Sequence, residues 1–188
     1  MTSPSCAQLS AWASAVRASD REAYGALYDA LHDPLFRYAW TLLRDDEAAY
    51  DVLQDVFTRL WIDRHRIDPA RSVKAMLFRM VRNDCFKVMR RHKFEARDAP
   101  DKMEPSSVPT FDADLDAASL EERLHEWVEA MPERRREVFQ LSRLGGLSHE
   151  EIGATLGIST KTVNNHLVSA LRDLRARMAR AGLDQRPR

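Results

Sequence analysis

Apolar residues recur along this chain at intervals of three and four, and nowhere do they alternate as a half-buried strand would. Tyr24, Leu27, Tyr28 and Leu31 share one helical face, and beyond Pro34 so do Leu35, Tyr38, Leu42 and Leu43. A second run, roughly 46–61, carries Ala49, Val52, Leu53, Val56, Leu60 and Trp61. After a polar break at 63–72 that contains Pro69, the stretch from Val73 to about Lys93 reads as one long helix with Leu77, Met80, Val81 and Val88 inward. The pattern then lapses. Pro100, Pro105 and Pro109 stand among acids and serines with almost no large apolar residue, a composition that cannot repay the entropy of ordering.

Periodicity resumes with Leu124, Trp127, Val128 and Met131, and Pro132 suits the first turn of a new helix, where its missing N–H costs nothing. That helix carries Val138, Phe139 and Leu141 and stops at Gly145-Gly146. Ser148 and Glu151 have the spacing of a capping box. Ile152 and Leu156 face inward, and Gly157 suits the left-handed position just past a helix end. Ser159 then caps a last helix with Val163, Leu167, Leu171 and Leu174 inside. The expected fold is all-α, two small helical domains joined by an acidic flexible linker, the second containing a helix-turn-helix. The expected boundaries are an N-terminal tail at 1–19, a first domain at 20–94, the linker at 95–119, a second domain at 120–180 and a C-terminal tail at 181–188.

Composition narrows the class. With 188 residues and 44% apolar content the chain supports two modest cores, and domains of roughly 70 residues fold alone. Cys6 and Cys85 are far apart and have no Cys or His neighbours at metal-ligand spacing, so neither a zinc site nor a disulfide framework is expected. No apolar run is long enough for a bilayer, and Met1 to Ser10 lacks the basic and apolar regions of an export signal, so a cytoplasmic protein without membrane insertion is expected. The zero net charge is an average of opposites. Residues 20–61 hold four basic and nine acidic side chains, 62–97 eleven and four, 98–122 one and eight, and 123–188 twelve and eight. Blocks of alternating sign imply different partners for different surfaces.

Three surfaces carry candidate chemistry. On the last helix Lys161, Asn164, Asn165, Val168 and Arg172 form one outward stripe. Asn bonds adenine edges bidentately, Val meets a thymine methyl, and Lys and Arg hold phosphate or guanine. Ser159, Thr162 and Ser169 complete the candidate DNA contacts there. On the long helix of the first domain Arg79, Asn83, Lys87 and Arg90 share a side, Arg91 and Lys93 extend the charge, and Phe78 and Phe86 are interleaved. Such a surface binds single strands when its rings stack bases; the rings serve equally well as core. The third stripe, Asp51, Gln54, Asp55 and Thr58 beside an exposed Phe57 or Trp61, suits docking on a basic partner helix or is simply a solvated acidic face.

Taken in order, Tyr38-Ala39-Trp40-Thr41-Leu42-Leu43-Arg44-Asp45, the helix from Asp51 to Trp61, Ala75 through Cys85, Met131 through Phe139, and Gly146 through Leu174 resemble the sigma factors of the extracytoplasmic-function group. The resemblance implies core RNA polymerase and promoter DNA as partners, an anti-sigma factor as regulator, and no cofactor, metal or catalytic residue. It implies that the Asp51–Trp61 helix, through Asp51, Gln54, Asp55, Phe57 and Trp61, docks the polymerase clamp. It further implies that the loop before Val73 with Arg79, Asn83, Lys87, Arg90 and Arg91 melts and holds the −10 element, and that the helix after Ser159 reads the −35 element. The acidic linker would thread toward the polymerase active centre. Two positions depart from the family pattern, Tyr50 where a small or acidic residue is usual and Gly153 where Ala is.

Two other readings compete. Leu147 to Leu171 also resembles the DNA-binding module of LuxR-type regulators, but those need a sensing domain with strands, and the first domain has no strand pattern. An enzyme is disfavoured because the six histidines are scattered singly and no paired-carboxylate motif, phosphate loop or nucleophile elbow is present.

Overall fold

The computed structural model describes residues 4–98 and 115–183. Among these the regular structure is entirely helical: α1 (Cys6–Arg17), α2 (Arg21–Leu43), α3 (Asp46–Ile62), a 3₁₀ turn at Arg64–Arg66, α4 (Val73–Asp98), α5 (Leu115–Glu129), α6 (Glu133–Arg143), α7 (His149–Leu156) and α8 (Thr160–Arg180). The helices start where short polar side chains satisfy the first free amides. Ser5 accepts from the Gln8 amide, Asp20 from those of Glu22 and Ala23, and Asp45 from that of Ala48.

The first nineteen residues, expected as a tail, require correction. Residues 6–17 form α1, which buries Leu9, Ala13 and Val16 against the first helical bundle. Twelve residues are too few for a stable isolated helix, so tertiary burial of this one apolar face holds it. α2 runs straight through Pro34. A proline inside a helix costs about 3 kcal/mol, and the face formed by Leu27, Leu31, Leu35 and Tyr38, all buried, offsets that. The helical ends reach into the expected linker, to Asp98 on one side and from Leu115 on the other. Residues 99–114, the centre of that linker, lie outside the described residues.

α1–α4 form one bundle, and α5, α6 and α8 meet at a smaller centre where Met131, Ala170 and Leu174 pack with Trp127, Val128 and Phe139. The halves are not held apart. One continuous cluster of buried side chains runs from Leu27, Tyr38, Leu53, Leu77 and Phe78 in the first half to Val138, Leu141, Ile152 and Leu156 in the second.

Candidate nucleic-acid interface

α7 and α8 build the helix-turn-helix from local rules. The Ser148 hydroxyl accepts from the Glu151 amide at 3.2 Å while the Glu151 carboxylate accepts from the Ser148 amide at 2.8 Å, closing the capping box. α7 ends at Gly157 with φ 67°, a left-handed conformation that costs glycine nothing. The turn is tight: a Cβ on Gly153 would lie 2.8 Å from the Ile158 carbonyl oxygen, so the close approach of the chain there leaves no room for a side chain. Ser159 then caps α8, its hydroxyl accepting from the Thr162 amide at 3.1 Å.

α8 buries Val163, Leu167, Ala170 and Leu174 and turns the opposite face outward. Lys161, Asn164, Asn165, Val168 and Arg172 are all exposed along it, as is the capping Ser159, with Thr162 and Ser169 half-buried at its edges. Val168 is 58% exposed, an apolar side chain left in water within a polar stripe. The surface can present amide hydrogen-bond pairs, a methyl contact and two cations to a duplex groove.

α4 is organised differently. Phe78 is fully buried, its ring 5.4 Å from that of Tyr38, so it belongs to the core and is unavailable for stacking on a base. Phe86 is half-buried, with the Arg82 guanidinium 4.6 Å over its ring. Asn83, Lys87 and Arg90 stand around that pair and line a hollow of about 460 Å³. Lys87 also donates to Asp84 at 2.8 Å, and Asp84 is paired to Arg59 of α3, so one cation of the stripe is steadied by its own helix. Arg91 is exposed further along. Arg79 faces another way, into a groove of about 590 Å³ between the loop 66–72 and α7. The expected single stripe is thus split, with Arg79 on one side and Asn83, Lys87 and Arg90 on the other.

On α3 the Asp51, Gln54, Asp55 and Thr58 side chains are exposed together. The expectation of an exposed aromatic beside them needs correction. Phe57 is 2% exposed, its ring 4.6 Å from that of Tyr28, because position 57 falls on the inward face with Leu53 and Leu60. Trp61 is half-buried beneath the Arg64 guanidinium, 4.7 Å from its ring centre. Tyr50 remains half in water and lays its ring 4.3 Å from that of Phe36.

Sequence reasoning missed the polar contacts between the halves. Glu137 of α6 is 5% exposed, accepts from the Tyr38 hydroxyl at 3.3 Å and from Arg134 at 3.1 Å, and pairs with Arg82 of α4. Burial, then the charge of Glu137, pushes the Tyr38 hydroxyl well above the usual tyrosine range. For Arg82 burial acts to lower the pKa, and the hydrogen bond and charge of Glu137 outweigh it, so the guanidinium is held even more firmly protonated. A capping and charge scan reads local spacing and could not join residues 55 and 99 positions apart. Among the described residues no helix is long and apolar enough to cross a membrane.

Two family models match this chain, sigma-70 region 2 over residues 27–95 and sigma-70 region 4 over residues 121–174. The ECF RNA polymerase sigma factor SigL of Mycobacterium tuberculosis is 32% identical over 163 residues, covering 84% of this chain and 90% of that protein. SigM of Bacillus subtilis, named likewise, is 25% identical over 150 residues, covering 80% and 91%. Among solved structures, CnrH in complex with the cytosolic domain of CnrY has a TM-score of 0.67 at 25% identity, covering 92% of this chain and 97% of that one. The sigma factor RpoE of Bartonella quintana, solved with the anti-sigma factor NepR, shares the fold with a TM-score of 0.61 at 21% identity, covering 80% and 91%.

Proposed function

The chain belongs to the sigma-70 family as an ECF RNA polymerase sigma factor, a transcription initiation factor that directs polymerase to promoters, and on that premise we propose a division of labour among its three surfaces. α8 reads the −35 element as duplex through Lys161, Asn164, Asn165, Val168 and Arg172. The 63–72 loop and α4, through Arg79, Asn83, Lys87, Arg90 and Arg91, melt and hold the −10 strand. Asp51, Gln54 and Asp55 on α3 dock the polymerase clamp, Trp61 contributing an edge and Phe57 supporting the helix from within. The chemistry is the polymerase's; this chain supplies position. Its site of action is the cytoplasm, and a regulator of the anti-sigma kind solved with RpoE is extended to it by analogy.

The exposed stripe on α8 carries this reading. Asn is a poor filler of an ordinary solvated helix face, and two adjacent Asn beside an exposed Val have a duplex edge as their natural ligand. The hollow around Asn83 and Phe86 supports the single-strand role, since it combines cations with an aromatic ring and an amide able to bond a displaced base.

Run-off transcription with purified core polymerase on a panel of promoters tests it. Asn164→Ala and Asn165→Ala are each expected to lose about 1–3 kcal/mol of discrimination at the −35 positions they read. The combined Asp51→Ala, Gln54→Ala, Asp55→Ala variant is expected to lose run-off from every promoter and to stop copurifying with core. Unchanged −35 preference in both Asn variants removes α8 as the reading helix.

A further inference from the structure

We propose that α1 braces the strand-binding loop from behind, and that Ser10 and Ser19 are positioning residues that aim the 63–72 loop at the −10 strand. This rests on the reading above, in which that loop contacts the −10 element. It gives a task to a helix that lies before the matched region 2, which begins at residue 27.

The loop has an inner and an outer side. Ile67 is 4% exposed and belongs to the main buried cluster, and Pro69 is half-buried, while Arg66, Asp68 and Arg71 are exposed. Two tight turns give the segment its form. The Arg66 amide donates to the Asp63 carbonyl at 2.8 Å, and the Arg71 amide donates to the Asp68 carbonyl at 3.0 Å. The Asp68 carboxylate also accepts from the Ala70 amide at 3.1 Å. Bonds of this kind shape each turn but do not set where the turn sits against the helices behind it.

α1 sets the place. The Ser10 hydroxyl donates to the Pro69 carbonyl at 3.0 Å, across 59 positions of sequence. Leu9 and Ala13, to either side of it, are buried in the bundle, so the donor is carried by a packed helix. Nearer the start of the loop, Arg64 donates to the Ser19 hydroxyl at 2.9 Å and to the Trp61 carbonyl at 2.8 Å. Ser19 stands just beyond α1 with φ 71°, a left-handed conformation that costs any residue bearing a Cβ. Such strain persists where the surrounding structure holds the residue there, and it points to a use for the side chain that glycine could not serve. Here the hydroxyl is the acceptor for Arg64.

A loop ordered only on contact with DNA would lose its conformational entropy at the moment of binding. With Arg64, Ile67 and Pro69 held from behind, that ordering is completed in folding. Arg66 and Arg71 then line the same groove as Arg79, already directed outward. Arg71 meanwhile pairs with Asp68 at 3.3 Å, an exposed ion pair weak enough to be exchanged for a phosphate. A loop out of place shifts every contact it makes, so the brace acts on selectivity at the −10 element and leaves the α8 stripe as it is.

The test uses the full chain in two arms. Hydrogen–deuterium exchange compares the unaltered protein with Ser10→Ala and Ser19→Gly. Ser14→Ala is the matched control, a hydroxyl of the same helix that donates to the Ser10 carbonyl at 3.0 Å. Exchange across residues 64–71 is expected to quicken by about threefold or more in the first two, the effect of one lost hydrogen bond, and to stay unchanged in the control. Ser10→Thr, which keeps the hydroxyl, is expected to restore slow exchange.

In the second arm, run-off transcription with core polymerase ranks an active promoter of the panel against its single-base −10 variants. Discrimination is expected to narrow by about threefold or more in Ser10→Ala and Ser19→Gly, with −35 preference unchanged. Ser19→Gly separates aim from stability: relief of the left-handed strain is expected to hold or raise its denaturant midpoint while selectivity falls. Unchanged loop exchange in both variants, or full −10 discrimination despite quickened exchange, overturns the brace. If the combined Arg66→Ala, Arg71→Ala, Arg79→Ala variant keeps the −10 ranking of the unaltered chain, the loop is no promoter contact and the underlying reading fails instead. Exchange then still decides whether α1 holds the loop.

Discussion

α4 and α8 are both long, basic, amphipathic helices assigned to promoter DNA, yet they stand in opposite situations. α8 buries one face in its own half and leaves the whole stripe from Lys161 to Arg172 in water. α4 is shared: its first turns pack against α7, Phe78 is sealed in the cluster common to both halves, and its outward residues divide between Arg79 on one side and Asn83, Lys87 and Arg90 on the other. The difference teaches that helical periodicity assigns a face to the interior or exterior but cannot say which neighbour covers it.

The sharpest way to break the comparison is to truncate one apolar side chain on each helix. Phe78→Ala is expected to cost about 3–5 kcal/mol of stability, whereas Val168→Ala stays within roughly 0.5 kcal/mol while lowering promoter preference. Denaturant titration with both variants decides this, and a mild Phe78→Ala would mean that α4 is not the shared element.

Alkaline pH gives the next largest separation. Burial, with Asp84 adding to it, pushes the Cys85 thiol on α4 from 9.0 up to about 12. Cys85 and Tyr38 both keep their protons in the folded chain after the unfolded chain has lost them, so the unfolded state binds fewer protons and stability falls as pH rises. The contribution of Cys85 is fully present below pH 9 and is lost as pH climbs toward 12. At about 1.4 kcal/mol per pKa unit it amounts to at most about 4 kcal/mol. Denaturant midpoints measured from pH 8 to 11 are expected to drop steadily, and Cys85→Ala is expected to flatten that slope.

The smallest effect distinguishes the cations. Lys161→Ala and Arg172→Ala are each expected to reduce the slope of log K against log salt by about 1 for the holoenzyme on duplex promoter, weakening all sequences alike. Lys87→Ala is expected to change it less, because Asp84 already partners that ammonium. Equal slopes for Lys87→Ala and Lys161→Ala would contradict the contrast drawn between the two helices.

Much of this molecule was legible before any coordinates. The capping residues Ser148 and Ser159, the left-handed Gly157 and the inward series on α3 and α8 were readable because each depends on neighbours within four residues. The outward position of Asn164 and Asn165 followed from the same spacing. α1 escaped notice because its apolar face is short and sparse, and only the bundle beneath it makes the helix worthwhile. Phe57 was misjudged because Phe57 and Trp61, four apart, were read as flanking the acidic stripe, whereas Tyr24 and Tyr28 of α2 draw position 57 inward.

What the sequence determined by itself was therefore the helices from α2 onward and most of their inward and outward faces. Those properties arise from backbone hydrogen bonding and side-chain spacing over one or two turns. Only the tertiary structure decided that Glu137 meets Tyr38 and Arg82, that Phe78 is core, and that Glu150 and Glu151 confront the loop of the first half. Contacts between residues 55 to 99 positions apart depend on how two finished surfaces pack, and packing is set by shape and burial that no local pattern encodes.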